Sequence, residues 1–279
     1  MNAIPLPLVL RLSAVAVVLL STACGDDDPT DPGPVEGRQM YAVDGSNQVR
    51  EIDSDNPDEE RSTVAITGMA SGETMVGIDF NAADGQLYGV GSAGNVYTVN
   101  VTSGAALRVG AGPVASLSGQ FFGVDFNPVP NRLRIHSETG LNLRVDQTIG
   151  VLAATDVVLA FATADANAGA TPNIVASAYT NSVTPAPMTT VLFAIDSDLD
   201  VLANFADPNT GQMTTVGSLG VDVGDAAGFD IVGDDGTAYA ALTTGTSGSS
   251  LYTIDLASGQ TTLIGSIGGE AIVGLAVAP

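Results

Sequence analysis

A short strand ending in an acidic or amide residue returns five times along this chain, and no other feature limits its fold as much. Val49-Arg-Glu-Ile-Asp53, Val96-Tyr-Thr-Val-Asn100, Asn142-Leu-Arg-Val-Asp146, Leu192-Phe-Ala-Ile-Asp196 and Leu251-Tyr-Thr-Ile-Asp255 end at intervals of 46 to 59 residues. Around each lie further apolar runs bounded by Gly, Asp, Asn and Ser, which read as strands joined by turns. A Gly-x-Asp strand comes first in three units, as Gly77-Ile-Asp79, Gly123-Val-Asp125 and Gly228-Phe-Asp230, and Gly274-Leu-Ala-Val277 has the same form. Second strands are expected at 87–91, 132–136, 175–180 and 238–242, and a fourth strand follows each anchor. A period of about 40 to 50 residues with four strands per unit is the mark of propeller blades. The predicted fold is therefore all-β, a five-bladed β-propeller of four-stranded antiparallel blades.

The chain ends fit that reading. Residues 39–68 hold second, third and fourth strands without a first, whereas 272–277 is a first strand with nothing after it. The C-terminal strand should join the N-terminal blade and close the ring, so that fewer sheet edges are left free. A single blade cannot cover both of its apolar faces, but five can cover one another. The fourth unit is the least regular: its first strand is expected at 157–162, where no Gly-x-Asp occurs. Its connections at 163–172, 181–189 and 197–212 are long, and long ordered loops on a rigid scaffold commonly carry binding. Connections 181–189 and 244–250 are expected to leave the ring on one side and to form its contact face.

Composition narrows the partners. Hydrophobic residues make up 45% of the 279, yet there are only 8 Phe, 6 Tyr and no Trp, so the core must be built mainly from Val, Ile, Leu and Ala. The formal net charge is −23, and all 8 basic residues are Arg. Such a field repels nucleic acid, which is excluded as a partner, and keeps an exported protein soluble.

The N-terminus supplies an address. Leu12 to Leu20 is an apolar run too short to span a bilayer and of the right length for the core of an export signal. Ser21-Thr22-Ala23-Cys24 follows, with the chain's one cysteine, and resembles a bacterial lipoprotein signal. That resemblance implies removal of residues 1–23, lipidation of Cys24, and a membrane-anchored protein of the cell envelope. Gly25 stands where enteric lipoproteins retained at the inner membrane carry Asp, so the outer membrane or cell surface is the expected site. Residues 24–37, rich in Asp, Pro and Gly, read as a tether, and 38–279 as the propeller domain.

Gly123-Val-Asp-Phe-Asn-Pro128 with Arg132-Leu-Arg134 and Asn142-Leu-Arg144, then Ala168-Gly-Ala-Thr-Pro-Asn173 with Ala178-Tyr-Thr-Asn181, resemble a bacterial secreted family known as domain of unknown function 4394. The resemblance runs over about residues 38 to 279. It implies an extracytoplasmic, propeller-like module and brings no catalytic residues with it.

Several groups of residues invite a functional reading. Asp79, Asp125 and Asp230 hold equivalent positions near the predicted axis; residues that recur with a repeat are expected to tie a turn or backbone amide between blades. Paired carboxylates are also what glycoside hydrolysis uses. Arg132, Arg134 and Arg144 concentrate on neighbouring strands and could hold an anion; internal pairing with Asp125, Asp146 or Glu138 is the expectation. His136, the one histidine, is expected at a strand end or turn. Asn181 begins the long connection of the fourth unit and joins the candidate binding residues. Asp196, Asp198 and Asp200 alternate as calcium ligands can, although Val201 stands where the helix-loop-helix calcium pattern needs Gly. No organic cofactor is expected, and calcium is the one ion the pattern admits. The function expected is a lipid-anchored binding or scaffold module for a protein or glycan partner. The alternative is a propeller hydrolase or lyase acting on extracellular polysaccharide.

Overall fold

Among the described residues, alternating apolar residues broken by glycine turns make twenty-one strands. The computed structural model describes Met1 and residues 35–59, 61–245 and 248–279. The export signal, Cys24 and most of the tether lie outside the described residues.

In chain order the first strands are β1 (Gln39–Asp44), β2 (Gln48–Asp53) and β3 (Ser62–Ala65). The second blade is β4 (Met75–Phe80), β5 (Leu87–Gly91), β6 (Val96–Val99) and β7 (Ala106–Val109). The third is β8 (Phe122–Asn127), β9 (Arg132–Ser137), β10 (Asn142–Asp146) and β11 (Val151–Thr155). The fourth contains β12 (Ala160–Phe161), β13 (Ile174–Tyr179), β14 (Leu192–Asp196), β15 (Val201–Phe205) and β16 (Gln212–Ser218). The fifth is β17 (Ala227–Ile231), β18 (Ala238–Leu242), β19 (Ser250–Ile254) and β20 (Thr261–Ser266), and β21 (Ile272–Val277) ends the chain.

The molecule is an all-β five-bladed propeller of antiparallel four-stranded sheets, and β21 pairs with β1 to complete the sheet of β1–β3. Met40 faces Val277 and Ala42 faces Leu275 across that seam. β4, β8, β13, β17 and β21 are the inner strands of the five blades. An apolar cluster fills each gap between blades except that between the third and fourth, for example Val90, Val96, Val124, Leu133 and Val145 between the second and third. Burial of these faces against one another is the main stabilising term. The outer strands β11, β16 and β20 each carry a bulge, which twists the free edge out of register with a pairing strand.

The fourth blade differs from the arrangement expected. Its inner strand is β13, the segment read as a second strand, and β14, read as the third, is second. The true third strand, β15, lies inside the expected long connection 197–212. Residues 160–161, within the expected first strand, form β12, a two-residue parallel addition to the outer edge of β16. The chain therefore enters this blade at its rim and crosses to the axis through 163–173. As a result the connection 180–191 joins first to second strand, whereas 243–249 joins second to third. Strand direction alternates within a blade, so the two connections leave on opposite faces of the ring, correcting the expected shared face.

Candidate functional site

The inner strands bring three carboxyl groups together on the axis. One carboxyl oxygen from each of Asp79, Asp125 and Asp230 lies within 4.8 Å of the others, and all three residues are buried. Each occupies the third position of its Gly-x-Asp strand; β13 and β21 place Ala178 and Ala276 at the equivalent points. The carboxylates satisfy the backbone around the ring. Asp79 accepts from the Phe126 amide of the next blade at 2.8 Å, Asp125 from Tyr179 at 3.1 Å, and Asp230 from Val277 at 2.6 Å. Where alanine precedes, no carboxylate reaches across, and the aspartate binds its own neighbour: Asp230 accepts from Ile231 at 2.6 Å, and Asp79 from Phe80. All five equivalent amides are thereby satisfied by three side chains, which is the backbone role expected from their recurrence.

These groups are poorly placed to ionise. Burial first, then the neighbouring Asp230 carboxyl, pushes Asp79 well above the usual carboxylate range. Burial, then Asp79 and Asp230, does the same to Asp125, and burial raises Asp230 to about 7.

Beside the cluster the axis is constricted. Gly77, Gly123, Gly228 and Gly274 bring the inner strands so close that the space between them is only about 10 Å³, the size of one water site. At Gly123 an added Cβ would lie 2.4 Å from Ser177 Oγ and 2.6 Å from its backbone nitrogen.

On the face where Asp79 and Asp230 emerge, a cavity of about 290 Å³ opens between Phe80, Val183, Ile231, Val232 and Val277. Connection 180–191 roofs it. The Thr184 hydroxyl donates to the Ala82 carbonyl of the second blade, and Ser182 packs onto the backbone of Gly233 in the fifth. This strap therefore bridges three blades and separates the cavity from a smaller one of about 130 Å³ lined by Phe126, Pro128 and Ala186. Asn181 holds the base of the strap: its backbone is left-handed (φ 60°), and its Nδ2 donates to the Thr189 carbonyl at 3.0 Å. Arg38 stands at the cavity rim, its guanidinium donating to Asp234 and Asp235 at 2.8 Å each.

The arginine concentration has a different location and role. In β9 and β10 the residues Leu133, Ile135, Leu143 and Val145 face the second blade. Their alternates Arg134, His136 and Asn142 therefore face the fourth, so a gap that is elsewhere apolar is polar here. Arg134, 1% exposed, donates from Nε to Tyr179 Oη at 2.8 Å. Its Nη1 donates to Asn142 Oδ1 at 2.6 Å and Asp156 Oδ2 at 3.0 Å, and its Nη2 to Asn209 Oδ1 at 2.8 Å. Arg144 grips both oxygens of the same Asp156, at 2.7 and 2.9 Å. Of the expected partners only Asp146 is used, by Arg132 at 3.2 Å. Asp125 and Glu138 accept backbone amides instead. His136 is fully buried, stacks on Phe205 with ring centroids 5.2 Å apart, and contacts Asn142 Oδ1 at 3.2 Å. Burial, and then the Arg134 charge, depress it to about 3, so it is neutral at ordinary pH. Asp156 could have been sought in the sequence as the lone charge within an apolar run beside three arginines. Tyr179 and Asn209 offer no such signal.

Asp196, Asp198 and Asp200 stay apart from the axis and shape one turn. Asp196 accepts from the amides of Asn173 and Leu199 at 3.0 Å, Asp198 from Asn173 Nδ2 at 3.3 Å, and Asp200 from the Val223 amide at 2.8 Å. Among the described residues the acidic oxygens that converge are those of Asp79, Asp125 and Asp230.

The ring just described coincides with a family model over residues 48–276. The chain belongs to the family described as Domain of unknown function (DUF4394). No curated protein matches it. Among solved structures, this DUF4394 chain is similar to one in "Crystal structure of Nidogen/Laminin Complex", at 10% identity and a TM-score of 0.49, covering 87% of this chain and 99% of that one. It is also similar to a structural genomics protein of unknown function from Bacteroides thetaiotaomicron VPI-5482, at 17% identity and TM-score 0.49, over 81% of this chain and 57% of that one. A third is "Dihydro-heme d1 dehydrogenase NirN in complex with DHE", at 14% identity and TM-score 0.39, over 83% and 45% respectively. The DUF4394 chain spans about half the length of the latter two. Among its described residues, no helix is long and apolar enough to cross a membrane.

Proposed function

We propose that this DUF4394 protein is an exported, lipid-anchored propeller that serves as a binding or scaffold module outside the cytoplasm. The observation that carries this reading is the engagement of the axial carboxylates: an acid–base pair needs free carboxyls presented to substrate, and these three are committed to five backbone amides. The one histidine is buried and neutral, so a histidine-activated nucleophile has no base at the cavity. The strap face, with its cavity, is the contact surface for a protein or glycan partner, because there a long ordered connection that the other blades lack roofs an open cavity on the rigid ring. The anchor rests on the sequence around Cys24.

The whole chain, expressed in a bacterial host, should sediment with membranes and carry the mass of a diacylglyceryl group on Cys24, and Cys24→Ser should lose both. A wild-type protein recovered soluble and unlipidated overturns the anchor. Release of reducing ends from any member of a polysaccharide panel, abolished by Asp230→Asn, would overturn the non-enzymatic reading.

A further inference from the structure

Three carboxyl groups share the axis, and among the described residues no arginine pairs with them. Asp79, Asp125 and Asp230 form no salt bridge among the described residues, and their hydrogen-bond donors are backbone amides. The charged and titratable groups around them are few, and each is turned elsewhere. Arg134, Tyr88 and Tyr239 are the cross-strand neighbours of Asp125, Asp79 and Asp230. Arg134 sends its guanidinium to Tyr179, Asn142, Asp156 and Asn209, the Tyr88 hydroxyl donates to Asp84, and Tyr239 packs in the apolar cluster between the fifth and first blades. Tyr179 on β13 donates its amide to Asp125, while its hydroxyl accepts from Arg134. β21 contributes Ala276 and Val277, which cannot titrate, and Arg38 at the cavity rim is held by Asp234 and Asp235. Like charges this close and this deeply buried cannot all be ionised together.

We propose that Asp79, Asp125 and Asp230 form a proton-sharing clasp on the ring axis, which holds neighbouring blades together while the cluster keeps a proton and loosens them when all three carboxyls ionise. The bonds at stake join β4 to β8, β8 to β13 and β17 to β21, the last being the strand that closes the ring. Ionisation leaves each carboxylate a good acceptor for its amide but sets three anions against one another across these junctions; the two Ala-bearing junctions, β13 to β17 and β21 to β4, contribute no charge of their own. Because Asp79, Asp230 and Val277 also line the cavity beneath the strap, loosening is felt at the candidate contact face.

The direction with pH follows from linkage. The folded protein keeps protons that an unfolded chain, titrating near 3.8, would release, so these groups stabilise most in acid and their contribution is lost as pH rises through the folded values, about 7 for Asp230 and well above 3.8 for the others. His136 acts oppositely: its stabilising neutrality is complete above its unfolded value of 6.5 and is lost as pH falls toward about 3. The two slopes oppose each other in acid, and above about pH 6.5 the clasp acts without the histidine.

The test is made on the soluble propeller released from its lipid, in metal-free buffer. Carbon-13 resonances of the aspartate Cγ atoms should show at least one carboxyl among these three titrating above pH 6, assigned by its loss in Asp79→Asn, Asp125→Asn or Asp230→Asn. The melting temperature should fall between pH 6.5 and 9 by at least ~3 °C, and Asp125→Asn, which keeps an acceptor for the Tyr179 amide, should flatten that fall. If all three carbons titrate below pH 5, the clasp does not exist. Should millimolar calcium displace the protons and abolish the slope, the cluster is a cation site and the proposal is overturned. A slope unchanged in Asp125→Asn likewise sinks it, and the Cγ titration of the wild type decides the matter even if the variants fail to fold.

Discussion

Arg134 is a cation almost wholly removed from water, and four acceptors surround it. Its cost of desolvation is offset because every arm of the fork meets an oxygen and Asp156 supplies the counter-charge. Removing one member leaves the others buried and unsatisfied, so Arg134→Ala should destabilise by about 3–5 kcal/mol. For a propeller of this size that corresponds to a loss of roughly 10 °C in a thermal melt followed by circular dichroism. Arg134→Lys should recover only a small part, since an ammonium cannot reach four planar acceptors. The alternation of β9 and β10 showed that Arg132 and Arg134 share a face. It did not show that Asp156, delivered by the chain's passage from the third blade to the rim of the fourth, would stand between Arg134 and Arg144. That meeting depends on a crossing that no local pattern encodes.

At the scale of elements, the strap 180–191 replaces what is a short turn in other blades. The corresponding turn of the second blade runs only from Asn81 to Gln86. Asn181 ties the strap's two ends together and Thr184 pins it to the second blade, but Met188 at its tip is 96% exposed, whereas Met40, Met75 and Met213 are buried in the sheets. Dilute peroxide should therefore oxidise Met188 before the other methionines of the propeller, as read by peptide mass spectrometry. Because that side chain packs against nothing that holds the ring, the oxidised protein should melt within about 1 °C of the original. The fourth blade was the least legible part of the fold for a related reason. β15 and β14 carry similar apolar patterns, and only β14 ends in the aspartate that marks third strands elsewhere, so the anchor pointed one strand too early. Pairing partners, fixed by the position of β13 on the axis, resolved it.

At the scale of the whole molecule, closure by β21 makes the ring indifferent to where the chain is cut, provided each blade keeps four strands. Val277 lies opposite Met40, so a permuted chain that begins with 272–279 and continues directly into residue 39 needs only a short linker between neighbouring ends. Such a permutant should fold to the same ring, with a melting temperature within ~5 °C of the parent. Deleting 272–279 without replacement should instead abolish the cooperative transition, because it exposes the inner faces of β1, β4 and β17 at once. A cooperative melt of the truncated protein would contradict the closed-ring account of its stability.

The sequence by itself determined the number of blades, the strand that closes the circle and the three aspartates that recur on the axis. Periodic burial is a local property that each unit states for itself. Tertiary structure alone decided that these aspartates crowd within 4.8 Å, that Arg134 and Arg144 find the same Asp156, and that one connection folds back over the mouth. Each of these is a contact between distant segments, set by the angle at which five packed sheets meet, and that angle is written in no single repeat.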